Sequence, residues 1–510
     1  MLLFLTYLIA TVVTGASAVV CARTLFPSPP VRARANSTAM PAPAAGPLAY
    51  ADSQAASGQT GVATLLGGED AFAARLVLAN AAVSSIDAQY YIWRGDLTGY
   101  LLLDALQSAA NRGVRVRLLL DDNGTTGLDP ELAALNAHPN IEVRLYNPFN
   151  LRRLKPLSYA FDFFRLNRRM HNKSFTVDGL ATIMGGRNVG DEYFGADQNA
   201  IFVDCDVLAM GAIVPEVAAD FDKYWAAPSV HPASYILAQG RGIDPVSAGL
   251  ASYSDDPRLS DYRNLAIHSD IASALVNGDF GLEWTNAVLV SDDPIKGEGA
   301  VPREDLLAVR LMKAVGKIEK KFDGISPYLV PGSAGVKAFS RLRAQGVKVR
   351  FLTNSLEATD VLAVHAGYTK RRMQMLRAGV GLYELYAKIG TQIPKNKIGP
   401  FGSSGSSLHA KTFAVDGERI FIGSFNFDPR STTLNTEMGL LIKSKAMASG
   451  LHDAFDNGLA GIAWQVQKRG RKPVWIDPET GVSTHSEPGT GLVKRIAIAL
   501  IGRLPVEWLL

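Results

Sequence analysis

The sequence predicts an α/β protein made of two tandem, similar domains, preceded by an apolar N-terminal segment. Three observations carry this. The pattern His-x-Lys-x4-Asp occurs twice, in MHNKSFTVDG (170–179) and LHAKTFAVDG (408–417). The similar runs RGVRVRLLLDD and QGVKVRFLTNS precede the two copies, with 58 residues from Gly113 to His171 and 63 from Gly346 to His409. Each run closes a strand-like, helix-like, strand-like succession with short links, the order of a βαβ unit and hence of a parallel strand pair. A pattern that returns in the same order after a long interval marks a duplication.

The elements follow in order. MLLFLTYLIATVVTGASAVVCA (1–22) has no charged side chain before Arg23 and could just cross a hydrocarbon core of about 30 Å. An uncleaved anchor fits that length. A cleaved signal would explain ASA at 16–18, though no basic residue precedes the apolar run. Arg23, Arg32 and Arg34 point to a cytoplasmic catalytic part, whereas cleavage would place it in the periplasm. Residues 23–60 are rich in Pro, Ala and Ser and read as a linker. The first domain is expected over 61–285: a helix in 69–86, strand 87–93, helix 99–113, strand 114–122. The second is expected over 286–475: strand 322–330, helix 335–346, strand 347–355. Residues 476–510, with Lys494, Arg495, Arg503 and Trp508 among aliphatics, suit an interfacial or docking segment.

Composition is that of an ordinary globular chain, 47% hydrophobic and 20% charged over 510 residues, with a net charge of +4. With Cys21 and Cys205 the only cysteines, neither a disulfide framework nor a Cys-x-x-Cys zinc site is available. The remaining histidines have no metal-ligand spacing, and DDNG (121–124) lacks the rest of a calcium loop and reads as a strand-end turn. No metal and no cofactor are expected.

The two motifs carry the chemistry. SFTVD alternates as a strand does, which sets His171 and Lys173 on one side. GGRN (185–188) and GSFN (423–426) then bring backbone amides and Asn188 or Asn426 close. A histidine, a lysine and an amide donor on one face suit a phosphoryl group. Lysine neutralises charge, amides donate to oxygens, and histidine attacks phosphorus or moves protons near neutral pH.

These residues resemble the double motif of the phospholipase D superfamily, H-x-K-x4-D-x6-G-[GS]-x-N. The blocks DAQYYIW, GGRNVGDEYF, SPYLVPG, VHAGY, LHAKTFAVDGERIFIGSFNFDPRS, NTEMGLLI and LPVEWLL further resemble the bacterial cardiolipin synthases of the C type, over about residues 65–510. The resemblance implies two phospholipase D-like α/β domains, with mixed, mostly parallel sheets flanked by helices, related by a pseudo-two-fold axis. It implies one metal-free active site in which His171 and His409 act as nucleophile and acid/base, His171 being the expected nucleophile. Lys173, Lys411, Asn188 and Asn426 would hold phosphate oxygens. A downstream carboxylate in each repeat, Asp204 and Glu437, would fix a histidine tautomer. Asp178 and Asp416 complete the catalytic motifs, although their place before glycine suits carboxylates that bind turn amides or brace the joint between repeats. Ser424 offers a hydroxyl contact in one half only, and GPFGSSGSS (399–407) is a candidate moving loop. Tyr328, His365 and Tyr368 are candidate pocket residues.

The superfamily also contains nucleases. Between Arg144 and Lys173 stand eight basic residues against Asp162 alone, interleaved with Phe149, Tyr159, Phe161, Phe163 and Phe164. Such a stretch suits anionic head groups at a membrane surface, single-stranded nucleic acid, or a solvated loop with core aromatics. The apolar ends favour lipid. The expected activity is phosphatidyl transfer to phosphatidylglycerol, from phosphatidylethanolamine or a second phosphatidylglycerol, giving cardiolipin at a bacterial inner membrane. Phospholipid substrates and the membrane surface are the expected partners, with no nucleic acid. A hydrolytic phospholipase D, a nuclease and a silent lipid-binding protein are the alternatives.

Overall fold

The computed structural model describes residues 1–32, 34–52, 58–197, 201–238, 244–386, 406–505 and 507–510. Two mixed sheets form the body, and their central six strands have the same order. In the first sheet they run Asp206–Gly211, Ala181–Gly185, Ser174–Val177, Ser85–Ile92, Arg115–Gly124, Ile141–Tyr146. In the second they run Met438–Ile442, Arg419–Gly423, Lys411–Val415, Lys321–Ile325, Lys348–Asn354, Gly381–Leu385. The duplication read from the sequence is therefore a duplication of topology.

One feature of the expected sheets changes. Only the pairs that the βαβ units create are parallel in the central six: Ser85–Ile92 with Arg115–Gly124, that strand with Ile141–Tyr146, and their counterparts. The remaining pairs are antiparallel, because each motif is a tight hairpin: Ser174–Val177 turns back as Ala181–Gly185, and Lys411–Val415 as Arg419–Gly423. Parallel pairs are thus the minority in both sheets.

A buried ion pair repeats with the topology. Asp87 faces Arg117 across the parallel pair and accepts two hydrogen bonds from its guanidinium, at 2.6 and 2.7 Å. Asp323 and Arg350 do the same at 2.7 and 2.6 Å. Each arginine also lies over a helix phenylalanine, Phe221 or Phe455, at 4.7 and 5.2 Å. The bidentate fork satisfies both charges where water is excluded, and losing one partner would strand the other.

The sheets meet face to face. One apolar cluster draws Val203, Cys205, Val207 and Val217 from the first repeat and Leu352, Leu408, Ile422 and Leu440 from the second. Backbone also crosses the joint, where Ile201–Val203 pairs in parallel with Ser406–Leu408 and Met170 forms a bridge with Thr436.

The N-terminal helix Leu2–Leu25 is apolar, and its most apolar stretch is not buried against the body. It is long and apolar enough to cross a membrane. Its end is pinned: Arg23 donates to the Phe161 carbonyl at 2.7 Å, and the Phe26 ring lies 6.2 Å from that of Phe161. The stretch after the helix is more than a linker. Arg144 donates to Ala35 O and Arg117 to Ser37 O, each at 2.8 Å, and the Ala39 amide donates to Asp222 at 2.9 Å. Small residues let this extended strap lie close to the first repeat, where its carbonyls complete buried arginines. At the other end, helix Leu492–Ile501 buries Ile498 and exposes Leu492, Val493, Ile496 and Leu500.

Candidate active site

Each motif begins just before a hairpin strand, in backbone held by the other repeat. The His171 amide donates to Thr436 O at 2.9 Å. The His409 amide donates to Val203 O at 2.8 Å. Thr436 precedes Glu437, and Val203 precedes Asp204. The rings follow the same crossing: His171 Nδ1 lies 2.8 Å from Glu437 Oε2, and His409 Nδ1 lies 2.5 Å from Asp204 Oδ2. Each histidine is therefore oriented by a carboxylate of the opposite repeat. The contacts are reciprocal, as across a two-fold interface. With Nδ1 engaged, Nε2 is the nitrogen left to react.

Lys173 donates to His171 O at 2.7 Å. Lys411 donates to His409 O, and its Nζ stands 2.9 Å from His409 Nδ1. All these groups are nearly buried, with His171 and His409 8% and 7% exposed. Burial is the largest influence on each. Together with the lysine charges it holds His171 well below its ordinary pKa. His409 is lowered as well, with Asp204 opposing. Burial raises Glu437 to about 7, and Lys411 falls to about 8. Asp204 goes the other way: despite burial, His409 and the Lys411 charge keep it below the usual carboxylate range.

The two carboxylates are thus unequal, and the motif glycines reflect this. A Cβ on Gly186 would stand 2.1 Å from Asp204 Oδ1, so the first repeat has no room for a side chain there. Its counterpart Ser424 donates its hydroxyl to Glu437 Oε2. The expected hydroxyl is present in one half only, but it serves the carboxylate.

Asp178 and Asp416 lie outside this cluster and within their own repeats. Asp178 accepts from the amides of Val83, Ser84 and Ser85, and Asp416 from those of Glu319, Lys320 and Lys321, the closest at 2.7 Å in each. Both have positive φ, 55° and 57°, which a short polar residue before glycine tolerates. Their carboxylates tie the motif hairpin to the strand beside it and do not brace the joint. Asn188 accepts from the Ile92 amide at 3.1 Å and donates to the Tyr193 hydroxyl at 2.9 Å. Asn426 has its Oδ1 buried without a partner among the described residues.

Tyr368 and His365 belong to a buried network, not a pocket. The Tyr368 hydroxyl donates to Glu384 at 2.9 Å, Arg372 spans Glu384 and Glu487 at 3.0 and 2.6 Å, and His365 lies 3.6 Å from Glu487. Tyr328 donates to Asp360 at 2.7 Å. The basic stretch is largely consumed in packing: Arg169 meets Asp121, Arg152 and Lys155 meet Asp122, and Arg165 meets Asp162. DDNG is strand rather than turn, and Asp122 is buried to receive those cations. Residues 399–405 of the Gly/Ser-rich loop lie outside the described residues. Cys21 and Cys205 are both free thiols.

Sequence reasoning missed the rings around the histidines. Tyr91 packs edge-on to His171 at 5.1 Å, Tyr193 edge-on to His409 at 5.2 Å, and Phe202 stacks on His409 at 5.2 Å. It also missed Arg430, whose charge helps depress His171 and whose guanidinium donates to Asn167 Oδ1 at 2.8 Å. Tyr91 and Arg430 sit in the DAQYYIW and FNFDPRS blocks, the one signal that could have found them.

Residues 76–225 and 311–459 match a family model described as "Cardiolipin synthase, PLD-like domain". The chain is 48% identical over 458 residues to "Cardiolipin synthase C" of Escherichia coli (strain K12), covering 89% of this chain and 97% of that one. It is 24% identical over 409 residues to "Cardiolipin synthase" of Staphylococcus aureus (strain Mu50 / ATCC 700699), covering 80% and 69%. Among solved structures, the phosphatidylserine synthase of Haemophilus influenzae Rd KW20 is similar in fold, with a TM-score of 0.57 at 14% identity over 88% of this chain and 95% of that one. The chain, with its two crossed histidine–carboxylate pairs, belongs to the cardiolipin synthase, PLD-like domain family.

Proposed function

We propose that the protein makes cardiolipin by passing a phosphatidyl group through His171 to the free hydroxyl of phosphatidylglycerol. The observation that carries this is the crossed pairing of His171 with Glu437 and of His409 with Asp204, in a chain of this family. Neutral His171, its Nδ1–H held by ionised Glu437, offers the Nε2 lone pair to the donor phosphorus. The P–O bond to the head-group alcohol breaks as N–P forms. His409, the histidine at which Asp204 opposes the effect of burial, gives its proton to the departing oxygen when it carries one. It then takes the proton of the incoming lipid alcohol, which attacks phosphorus and releases His171. Lys173 and Lys411 balance the charge on the phosphoryl oxygens. The pKa directions support His171 as nucleophile: burial and the lysine charges lower both histidines, but His171 is held well below its ordinary value, whereas Asp204 opposes the fall at His409.

Transfer rather than hydrolysis is favoured by the relatives, which are named as synthases. The donor is phosphatidylethanolamine or a second phosphatidylglycerol. The N-terminal helix is an anchor in the bacterial inner membrane, supported by its length and its pinned end. The domain division after residue 285 is supported by Glu283–Thr285 and Ala287–Ser291 joining different sheets. Carrying the second domain past 475 is supported by the pairing of Ser483–Thr484 in its sheet.

The test is a mass-spectrometric lipid assay on purified protein in mixed micelles with phosphatidylglycerol, with and without phosphatidylethanolamine. Cardiolipin that forms with the intact chain and not with His171→Ala or His409→Ala supports the reading. Phosphatidic acid without cardiolipin makes it a hydrolase. No lipid turnover overturns it.

A further inference from the structure

A large apolar groove lies in the second repeat, immediately behind its motif. Its volume is about 870 Å³. One wall is the motif loop itself: Phe425 and Phe427, on either side of Asn426, both line it, with ring centroids 5.7 Å apart. Helix Leu307–Val315 supplies a second wall and helix Gly332–Ala344 a third. The C-terminal tail closes the end with Pro505 and Trp508. Thr432 and Thr433 line it too, from the short helix that carries Arg430, the residue whose charge reaches His171.

Two features point to what fills it. The lining is open to solvent where a packed core would not be: Val309, Met312 and Trp508 are 38%, 41% and 49% exposed. Apolar surface of that kind, in a cleft of ligand-binding size, calls for an apolar occupant. Cations also stand in its lining. Arg303 is exposed and has no carboxylate partner among the described residues, while Lys370 and Arg371 share the single carboxylate of Glu507 at 3.6 and 2.8 Å. The other acid of the lining, Asp428, is buried and accepts from the Ser431 amide, so three cations face two carboxylates; an apolar trough bordered by this excess of positive charge is complementary to an acyl chain carried on an anionic phosphate.

We propose that this groove seats an acyl chain of an anionic phospholipid, so that the second repeat measures chain length as well as supplying His409. The proposal rests on the phosphatidyltransferase reading for its second test only. The groove holds a chain by burying methylenes, each worth roughly a fourfold gain in affinity. Ala338 lines the groove from an exposed helix position, so a larger side chain there occupies the trough without displacing the core.

The first test is photocrosslinking of the full chain with a phosphatidylglycerol bearing a diazirine in its acyl chain, done in wild type, His171→Ala, Ala338→Trp and the control Ala338→Ser. Label is expected on peptides containing Met312 or Trp508 in wild type, His171→Ala and Ala338→Ser, and lost in Ala338→Trp. Label elsewhere, or label indifferent to Ala338→Trp, overturns the groove. The second test compares kcat/KM for long-chain and six-carbon phosphatidylglycerol. The long-to-short ratio is expected to fall about sixteenfold in Ala338→Trp, the equivalent of losing two methylenes; an unchanged ratio overturns chain-length selection. Labelling of the groove without any lipid turnover would sink the transferase reading and leave the groove standing. Turnover with an unlabelled groove would do the reverse.

Discussion

Glu437 of the second repeat lies 2.8 Å from His171 of the first, and the same segment's carbonyl, at Thr436, takes the His171 amide. Ring and backbone of the histidine are thus positioned together by one short piece of the other repeat. Replacing the carboxylate removes the charge that favours the Nδ1–H tautomer. Glu437→Gln and Asp204→Asn are each expected to lower kcat by about 10²–10⁴ with little change in KM, measured by cardiolipin formation. A change confined to KM would assign these carboxylates to lipid binding instead.

The same pair sets the pH profile. Below about 7 Glu437 takes up a proton. It then no longer accepts from Nδ1–H, the ring proton moves to Nε2, and attack stops. Above about 8 Lys411 loses its charge and the phosphoryl oxygens lose a counter-ion. The kcat/KM profile is expected to be a bell with limbs near these values, reporting the free enzyme. Ser424→Ala removes a hydroxyl that stabilises ionised Glu437, so the acid limb should move to higher pH. Movement to lower pH would contradict the hydrogen bond's direction.

Gly186→Ala puts a methyl group 2.1 Å from Asp204 Oδ1. Asp204 must move, and His409 loses its orientation. Activity is expected to fall by at least about tenfold, more than the fold loses stability in a parallel thermal melt. Activity close to wild type would show that the Asp204 carboxylate can shift freely.

Asp178→Ala and Asp416→Ala remove acceptors for three backbone amides each. Loss of about 2–4 kcal/mol of stability is expected for each in denaturant unfolding, with the folded fraction still turning over lipid. A fully stable, inactive Asp178→Ala protein would return that carboxylate to the chemistry.

Much of this was legible in the chain. The matched runs around Asp87–Arg117 and Asp323–Arg350 show the duplication because both copies keep the strand and the buried ion pair within it. The motif residues His171, Lys173, His409 and Lys411 are legible because their spacing is unchanged between copies, and they do converge. What escaped depends on contacts between distant segments. No local pattern says that Glu437 serves His171, or that Ser37 and Ala35 complete Arg117 and Arg144. The antiparallel majority of the sheets was hidden for a different reason. A βαβ pattern announces its parallel pairs, whereas the hairpins after Asp178 and Asp416 are short and give little periodicity. Asp178 and Asp416 look catalytic by their place in the motif, and only their positive φ and amide partners show what the carboxylates hold.

The most direct test of a phosphatidyl group carried on His171 is to trap the intermediate. In His409→Ala, a phosphatidyl donor with a p-nitrophenol leaving group needs no acid to depart, but the acceptor alcohol has no base to deprotonate it. The expected result is a burst of about one equivalent of p-nitrophenol, no sustained turnover, and a phosphatidyl adduct on the peptide bearing His171. A burst that survives in His171→Ala, with the adduct on His409, would contradict it.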